Sequence, residues 1–153
     1  VEGLTFERSY AFLDDWVLGA LADVGVRARY VPLNDIASDA GKIAGAAQRR
    51  FASGVVLHHG TMAYDIDADK MTDVLRIGKE KLSDKGTTSA SKRVDPMRSQ
   101  TGMARDDVIA AFLRYFTRQQ ANRASHYTDA ELEAARGLVE SKFRTPEWTY
   151  RVP

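Results

Sequence analysis

Leu13, Trp16, Val17, Ala20, Leu21 and Val24 recur three and four residues apart, the spacing that gathers apolar side chains on one stripe of an α-helix. Gly25 follows where such a helix stops. In "VRARYVPL" the pattern changes: Val26, Ala28 and Tyr30 alternate with Arg27, Arg29 and Val31. That alternation predicts a strand, closed by Pro32. The polar run "NDIASDAGK" over 34–42 predicts a turn region. "KIAGAAQRRF" (42–51) and "GVVLHHGTMAYDI" (54–66) predict two antiparallel strands joined through "ASG".

Further along, "ADKMTDVLR" predicts a short helix over 68–76, and "SDKGTTSASKRVDP" over 83–96 has no apolar period and predicts a loop. "ARDDVIAAFLRYFTRQ" places Val108, Ile109, Phe112, Leu113 and Phe116 on one helical face. "TDAELEAARGLVESKF" opens on the capping-box pattern Thr128-x-x-Glu131. A helix, then strands, then helices predict an α+β fold in which helices pack on a mixed, largely antiparallel sheet. No internal repeat or long linker divides the chain, so 1–153 is expected to form a single domain.

Composition narrows the chemistry. The 153 residues, 44% hydrophobic and 28% charged, suffice for one core. Twenty-two Lys and Arg against 21 Asp and Glu leave a net charge of +1, which gives no ground for non-specific nucleic-acid or membrane affinity. An anionic ligand must therefore be met by locally placed basic groups. No cysteine is present, so these residues supply no disulfide, thiolate metal site or thiol nucleophile. No apolar run reaches the length of a membrane span and the first residues lack a signal-peptide pattern, so a cytoplasmic protein without a membrane partner is expected.

Lys42 stands at the mouth of a run of tiny residues, Ala44, Gly45, Ala46 and Ala47. Such a strip lets another body lie close to the backbone, whether a packed element or a flat ligand. A lysine beside it offers a mobile ammonium suited to a phosphate or carboxylate oxygen, although a solvated surface lysine has the same sequence. His58 and His59 are adjacent on a strand and must point to opposite sides of the sheet. They cannot jointly hold one metal, and no other metal-ligand spacing occurs. Asn34 and Asp35 follow a strand, where side chains either reach a ligand or satisfy local backbone groups.

Together "LNDI" at 33–36, "GKIAGAAQRR" at 41–50, "GVVLHHGTMAYDID" at 54–67, "KGTTSASKRV" at 85–94 and "EW" at 147–148 resemble the lipoate-protein ligase A family, in order and interval, over most of the chain. The related biotin ligases and octanoyl transferases share the fold, and the transferases rely on a cysteine that is missing here. The resemblance implies part of a biotin/lipoate ligase, class II synthetase-like fold. It also implies an activity: lipoate and ATP, with Mg2+, form lipoyl-adenylate, and the acyl group then passes to a lysine of a lipoyl carrier domain. The expected carriers are the E2 subunits of 2-oxoacid dehydrogenases and the glycine cleavage H protein.

Residue by residue, Lys42 matches the family's catalytic lysine, which contacts the adenylate phosphate and acyl carbonyl. Asn34 and Asp35 match the pair beside the nucleotide, Asp35 being the implied Mg2+ ligand. Ala44, Gly45, Ala46, Ala47, His59 and Gly60 match the substrate pocket. Lys79, Lys81, Lys85, Lys92 and Arg93 form a basic cluster that would suit an acidic carrier.

One feature of the family has no counterpart in these residues: an arginine followed by consecutive glycines, which wraps the adenylate. No Gly-Gly pair occurs, and the chain starts at Val1. The expectation is therefore the later, C-terminal portion of a ligase catalytic domain. The alternatives are one subunit of a two-chain ligase, or a non-catalytic ligase-like binding module. An octanoyl transferase or biotin ligase relative is a further alternative.

Overall fold

A computed structural model describes residues 1–67, 70 and 94–151 of the chain. They divide into two compact units, Val1–Ala121 and Asn122–Pro153. The helix expected over 68–76 apart from Lys70, the motif at 85–94 apart from Val94, and the basic cluster at Lys79, Lys81, Lys85, Lys92 and Arg93 lie outside the described residues.

The first unit opens with helix α1 (Phe6–Asp23), whose N-cap Thr5 accepts a hydrogen bond from the Arg8 N–H and whose first turn carries Glu7, favourable at the positive end of the helix. It ends at Val24, and Gly25 takes the left-handed backbone (φ +82°) that releases the chain. Four strands follow: β1 (Arg29–Val31), β2 (Asp35–Ala37), β3 (Lys42–Arg50) and β4 (Val56–Met62). They form an antiparallel sheet in the order β1-β2-β3-β4. The β3–β4 hairpin runs as its alternation predicts, turning at Gly54 (φ +85°). The expected turn region over 34–42 instead contains β2. Asp35 and Ala37 carry little strand propensity and only Ile36 favours it, but β1 and β3 flank the segment and pair its backbone on both sides.

Helices α2 (Met97–Thr101) and α3 (Arg105–Gln119) complete the unit. Leu21 of α1, Val26, Ile36, Ile43, Ala44, Met97 and Val108 make the core, with Val17, Met62 and Phe112 packed around them. Helices α1 and α3 approach closely at Gly19, where a Cβ would fall 1.9 Å from the Tyr115 hydroxyl oxygen. Trp16 meets Phe116 edge-on at 5.1 Å. The apolar face read for 104–119 is only partly buried: Val108 is covered, whereas Ile109 is 49% and Leu113 61% exposed. Successive helical residues turn about 100°, so Val108, Ala111 and Phe112 form one stripe and Ile109 and Leu113 fall on its flank.

In the second unit, helix α4 (Asp129–Leu138) continues as one π-helical turn, Val139–Phe143, before the short α5 (Pro146–Thr149). The Thr128–Glu131 capping box forms as the sequence predicts. Hydrogen bonds from the Thr128 backbone and hydroxyl hold the exposed Glu131 carboxyl below its ordinary range. A depressed carboxyl contributes stability that is complete above its unfolded value and lost as pH falls through the folded one. Thr128→Ala should move Glu131 part of the way back towards a free glutamate's titration by NMR, the backbone N–H bond being kept, and weaken the α4 terminus by about 1 kcal/mol. An unchanged Glu131 titration would contradict the box. No described helix is long and apolar enough to cross a membrane.

Candidate functional site

Residues directly opposite in an antiparallel pair point to the same side of the sheet. The register places Asp35 opposite Gly45 and Gly45 opposite Thr61, while Ala47 lies opposite His59. These residues share one face, called the front. Ile36, Ala44 and Met62 line up on the back, as do Ala46 with Gly60 and Gln48 with His58. The side chains of the six residues expected to form one pocket alternate between the faces, Gly45, Ala47 and His59 in front and Ala44, Ala46 and Gly60 behind, yet all of them except Ala47 line a single cavity. Period-two alternation causes the split, which a strip of small residues conceals in sequence.

Helix α1 covers the back. Ser9 donates from its hydroxyl to Gln48 Oε1 at 2.9 Å, and the Tyr10 ring meets His58 edge-on at 5.5 Å. His58 Nε2 lies 2.8 Å from Oδ1 of Asp14, a residue only 3% exposed. The adjacent histidines therefore diverge as expected: His58 is a packed partner of a buried acid, and His59 stands on the exposed front. Asp14 was not singled out from sequence, although an acid between Tyr10 and Val17 on the stripe of α1 was the available signal. An apolar cavity of about 400 Å3 is lined by Trp16 of α1 and Phe112 of α3 and by Ala44, Gly45, Ala46, His59 and Gly60 of the sheet, among others.

Lys42 belongs to the front. A bulge between Ile36 and Ala37 sets Lys42 opposite Ala37 and leaves Ile43 as the extra residue, directed into the core. The Lys42 ammonium lies 2.6 Å from Asp35 Oδ1, with the lysine side chain 25% exposed and the carboxylate nearly covered. A smaller cavity, about 230 Å3, is lined by Lys42, Gly45, Thr61, Ile66 and Val94. Lys42 thus lines the smaller cavity, which shares Ala44, Gly45, Thr61 and Met62 with the larger one.

The backbone of Lys42 is fixed as well. Its carbonyl accepts from the Asp95 N–H at 2.8 Å, and Asp95 Oδ2 accepts from the Ser38 hydroxyl at 2.6 Å. Neither Ser38 nor Asp95 carries a recognisable motif; only the fold brings them to Lys42. Asn34 is engaged locally: its side-chain amide donates to the Ala46 carbonyl at 2.6 Å, and the Ala46 N–H donates to the Asn34 carbonyl at 2.8 Å. It ties the entry of β2 to β3.

Asp35 offers the oxygen that magnesium prefers, but the arrangement does not fit the ion. The carboxylate is buried and already faces an ammonium, and no group of three or more metal-binding side chains occurs among the described residues. A dication at Asp35 would have to displace the Lys42 ammonium. What the site offers is a cation held on a flat surface of glycine and alanine, next to a small cavity. Such a cation can stabilise negative charge on a phosphate or carbonyl oxygen.

Comparison with known proteins places this geometry in context. Residues 1–117 match the family described as "Lipoyl protein ligase A/B catalytic domain". The chain is 29% identical over 155 residues to the lipoate-protein ligase LplJ of Bacillus subtilis, covering 97% of this chain and 46% of that protein. It is 28% identical over 114 residues to the octanoyltransferase LipM of Halalkalibacterium halodurans, covering 72% of this chain and 41% of that one. Among solved structures it resembles one from Thermoplasma acidophilum, described as a bi-partite lipoate protein ligase and its E2 lipoyl domain, with a TM-score of 0.76 and 28% identity. That match covers 97% of this chain and 59% of the solved one. The chain spans less than half the length of these two curated relatives.

Proposed function

The chain belongs to the lipoyl protein ligase A/B catalytic-domain family, and from that premise we propose that it forms the Lys42-bearing part of an ATP-dependent lipoate-protein ligase. In the first half-reaction the lipoate carboxylate attacks the α-phosphorus of ATP, and the bond to pyrophosphate breaks. In the second, a carrier lysine attacks the acyl carbonyl of lipoyl-adenylate and AMP leaves. Both steps build negative charge on oxygen, and one ammonium placed at the junction of acyl and phosphate serves both. The observation that carries this reading is the placement of Lys42 on the open face of the sheet, beside Gly45, Ala47, His59 and Thr61.

On this reading the acyl-adenylate lies across the front of β3 and β4, its phosphate and carbonyl at Lys42. Asn34 supports the wall from β2. Acyl carrier domains of the E2 and H-protein type are the acceptors. A second segment or chain completes the pocket, a role supported by the partial coverage of the relatives and by the two-part ligase described for Thermoplasma acidophilum. The reaction belongs in the cytoplasm, where ATP is available.

The likeness to LipM favours a second reading, octanoyl transfer from a carrier without ATP. The 153 residues hold no cysteine to serve as the acyl-accepting thiol, which supports the ligase. The deciding experiment is the intact mass of a lipoyl carrier domain after incubation with this chain, lipoate, ATP and Mg2+, with and without the complementary segment of a relative. Gain of one lipoyl group that requires ATP is expected. Acylation from an octanoyl carrier without ATP would replace this reading by the second, and no acylation under either condition would leave a binding module.

A further inference from the structure

A lysine ammonium is a point charge on a flexible four-carbon stem, so its use in catalysis depends on what holds it. At this site three contacts do. Asp35 Oδ1 lies 2.6 Å from the Lys42 ammonium. Gly45, opposite Asp35 in the β2–β3 register, leaves empty the volume that the end of the lysine occupies. A Cβ there would stand 3.0 Å from Lys42 Nζ, 3.1 Å from its Cε and 3.7 Å from Asp35 Oδ1. The Asp95 N–H fixes the lysine's carbonyl from the other side.

We propose that Asp35 and Gly45 are positioning residues for Lys42: the buried carboxylate and the missing side chain form a slot that holds the ammonium on the front of the sheet until an anionic acyl-phosphate takes it over. The proposal rests on Lys42 being the group that meets that phosphate. Asp35 then acts through Lys42 and touches neither nucleotide nor metal, which agrees with its burial. An incoming phosphate oxygen competes with the carboxylate for one ammonium, so the charge is already oriented when substrate arrives. The requirement for glycine follows from the same geometry. An alanine Cβ at 3.0 Å is tighter than ordinary contact, and the flexible lysine end gives way by a few tenths of an ångström. Misplacing a catalytic group by about 1 Å lowers a rate on the order of a hundredfold, so a smaller shift should be felt in turnover more than in stability.

The test combines chemical labelling of Lys42 with kinetics. The chain is treated with trinitrobenzene sulfonate and the extent of modification at each lysine is read by peptide mass spectrometry, beside melting temperatures. In Asp35→Asn, Lys42 should be modified about tenfold faster than in wild type, because the carboxylate that pins the ammonium at 2.6 Å is gone and the flexible lysine end swings out to the reagent. Lys142 should be unaffected, and Asp35→Glu should recover part of the protection. In Gly45→Ala, turnover in the acylation assay should fall about tenfold with KM within about twofold and melting unchanged, since only the ammonium moves. Should Asp35→Asn fail to fold, Gly45→Ala carries the test, because it leaves the carboxylate in place. Lys42 modification that is the same in wild type and both variants would overturn the slot. Modification that responds to Asp35, in a chain that acylates no carrier under any condition, would support the slot and remove the ligase reading instead.

Discussion

Lys42→Ala is expected to lower both acyl-adenylate formation and acyl transfer on the order of a hundredfold, the effect of removing about 3 kcal/mol of charge stabilisation from a transition state. The expectation follows from where the ammonium is. Its carbonyl is anchored by Asp95, its charge by Asp35, and the end of its side chain lies against Gly45, where a Cβ would stand 3.0 Å from Nζ. Single-turnover assays separate the two steps, with pyrophosphate release reporting adenylation and isolated lipoyl-adenylate reporting transfer. Lys42→Arg should recover only part of the loss, because a planar fork does not fit the slot beside Gly45 as a compact ammonium does. Circular dichroism should show the fold retained, with a lower melting temperature because the buried Asp35 carboxylate loses its partner. If Lys42→Ala keeps both rates within about fivefold of wild type, the charge is supplied elsewhere and the site is misassigned.

His58→Ala is expected to destabilise the first unit by about 3 kcal/mol without acting on the chemistry. Asp14 is buried on the inner stripe of α1, its Oδ2 has no hydrogen-bond partner among the described residues, and His58 Nε2 holds its other oxygen. Taking away that partner leaves a carboxylate desolvated and uncompensated, a change far more costly than the pair is favourable. Denaturant unfolding measures it. The double variant Asp14→Ala with His58→Ala should be more stable than the sum of the two single variants by about 1–3 kcal/mol, because the stranded charge is absent. A loss under about 1 kcal/mol in His58→Ala would show that water or a neighbouring group satisfies Asp14, and that the contact joining α1 to β4 is incidental. Residual turnover of folded His58→Ala should match wild type, which distinguishes it from Lys42→Ala.

The sequence by itself determined the elements whose pattern is local. The stripe from Leu13 to Val24, the alternation in β3 and β4, and Thr128 with Glu131 each carry their reason within a few residues, and each appears as expected. The opposite orientation of His58 and His59 follows from the pleat alone. Strand β2 is hidden, because only Ile36 of its three residues favours a strand and the segment is held by pairing on both edges. Ile109 and Leu113 likewise read as core, yet burial depends on the arc of helix α3 that its neighbour covers.

The site shows the same division. Beside its four tiny residues Lys42 reads equally as a solvated lysine, and it is the resemblance of the whole motif set that singles it out. Only tertiary structure decided the rest: that the small strip serves two faces, that Asp35 turns its carboxylate to the ammonium, that Ser38 and Asp95 fix the lysine's backbone, and that Asp14 reaches His58. Contacts such as Ser38 to Asp95 and Asp14 to His58 join residues 57 and 44 positions apart. No local pattern encodes a partner at that distance. It exists only once burial of Leu21, Ile43 and Val108 has brought helix and sheet together.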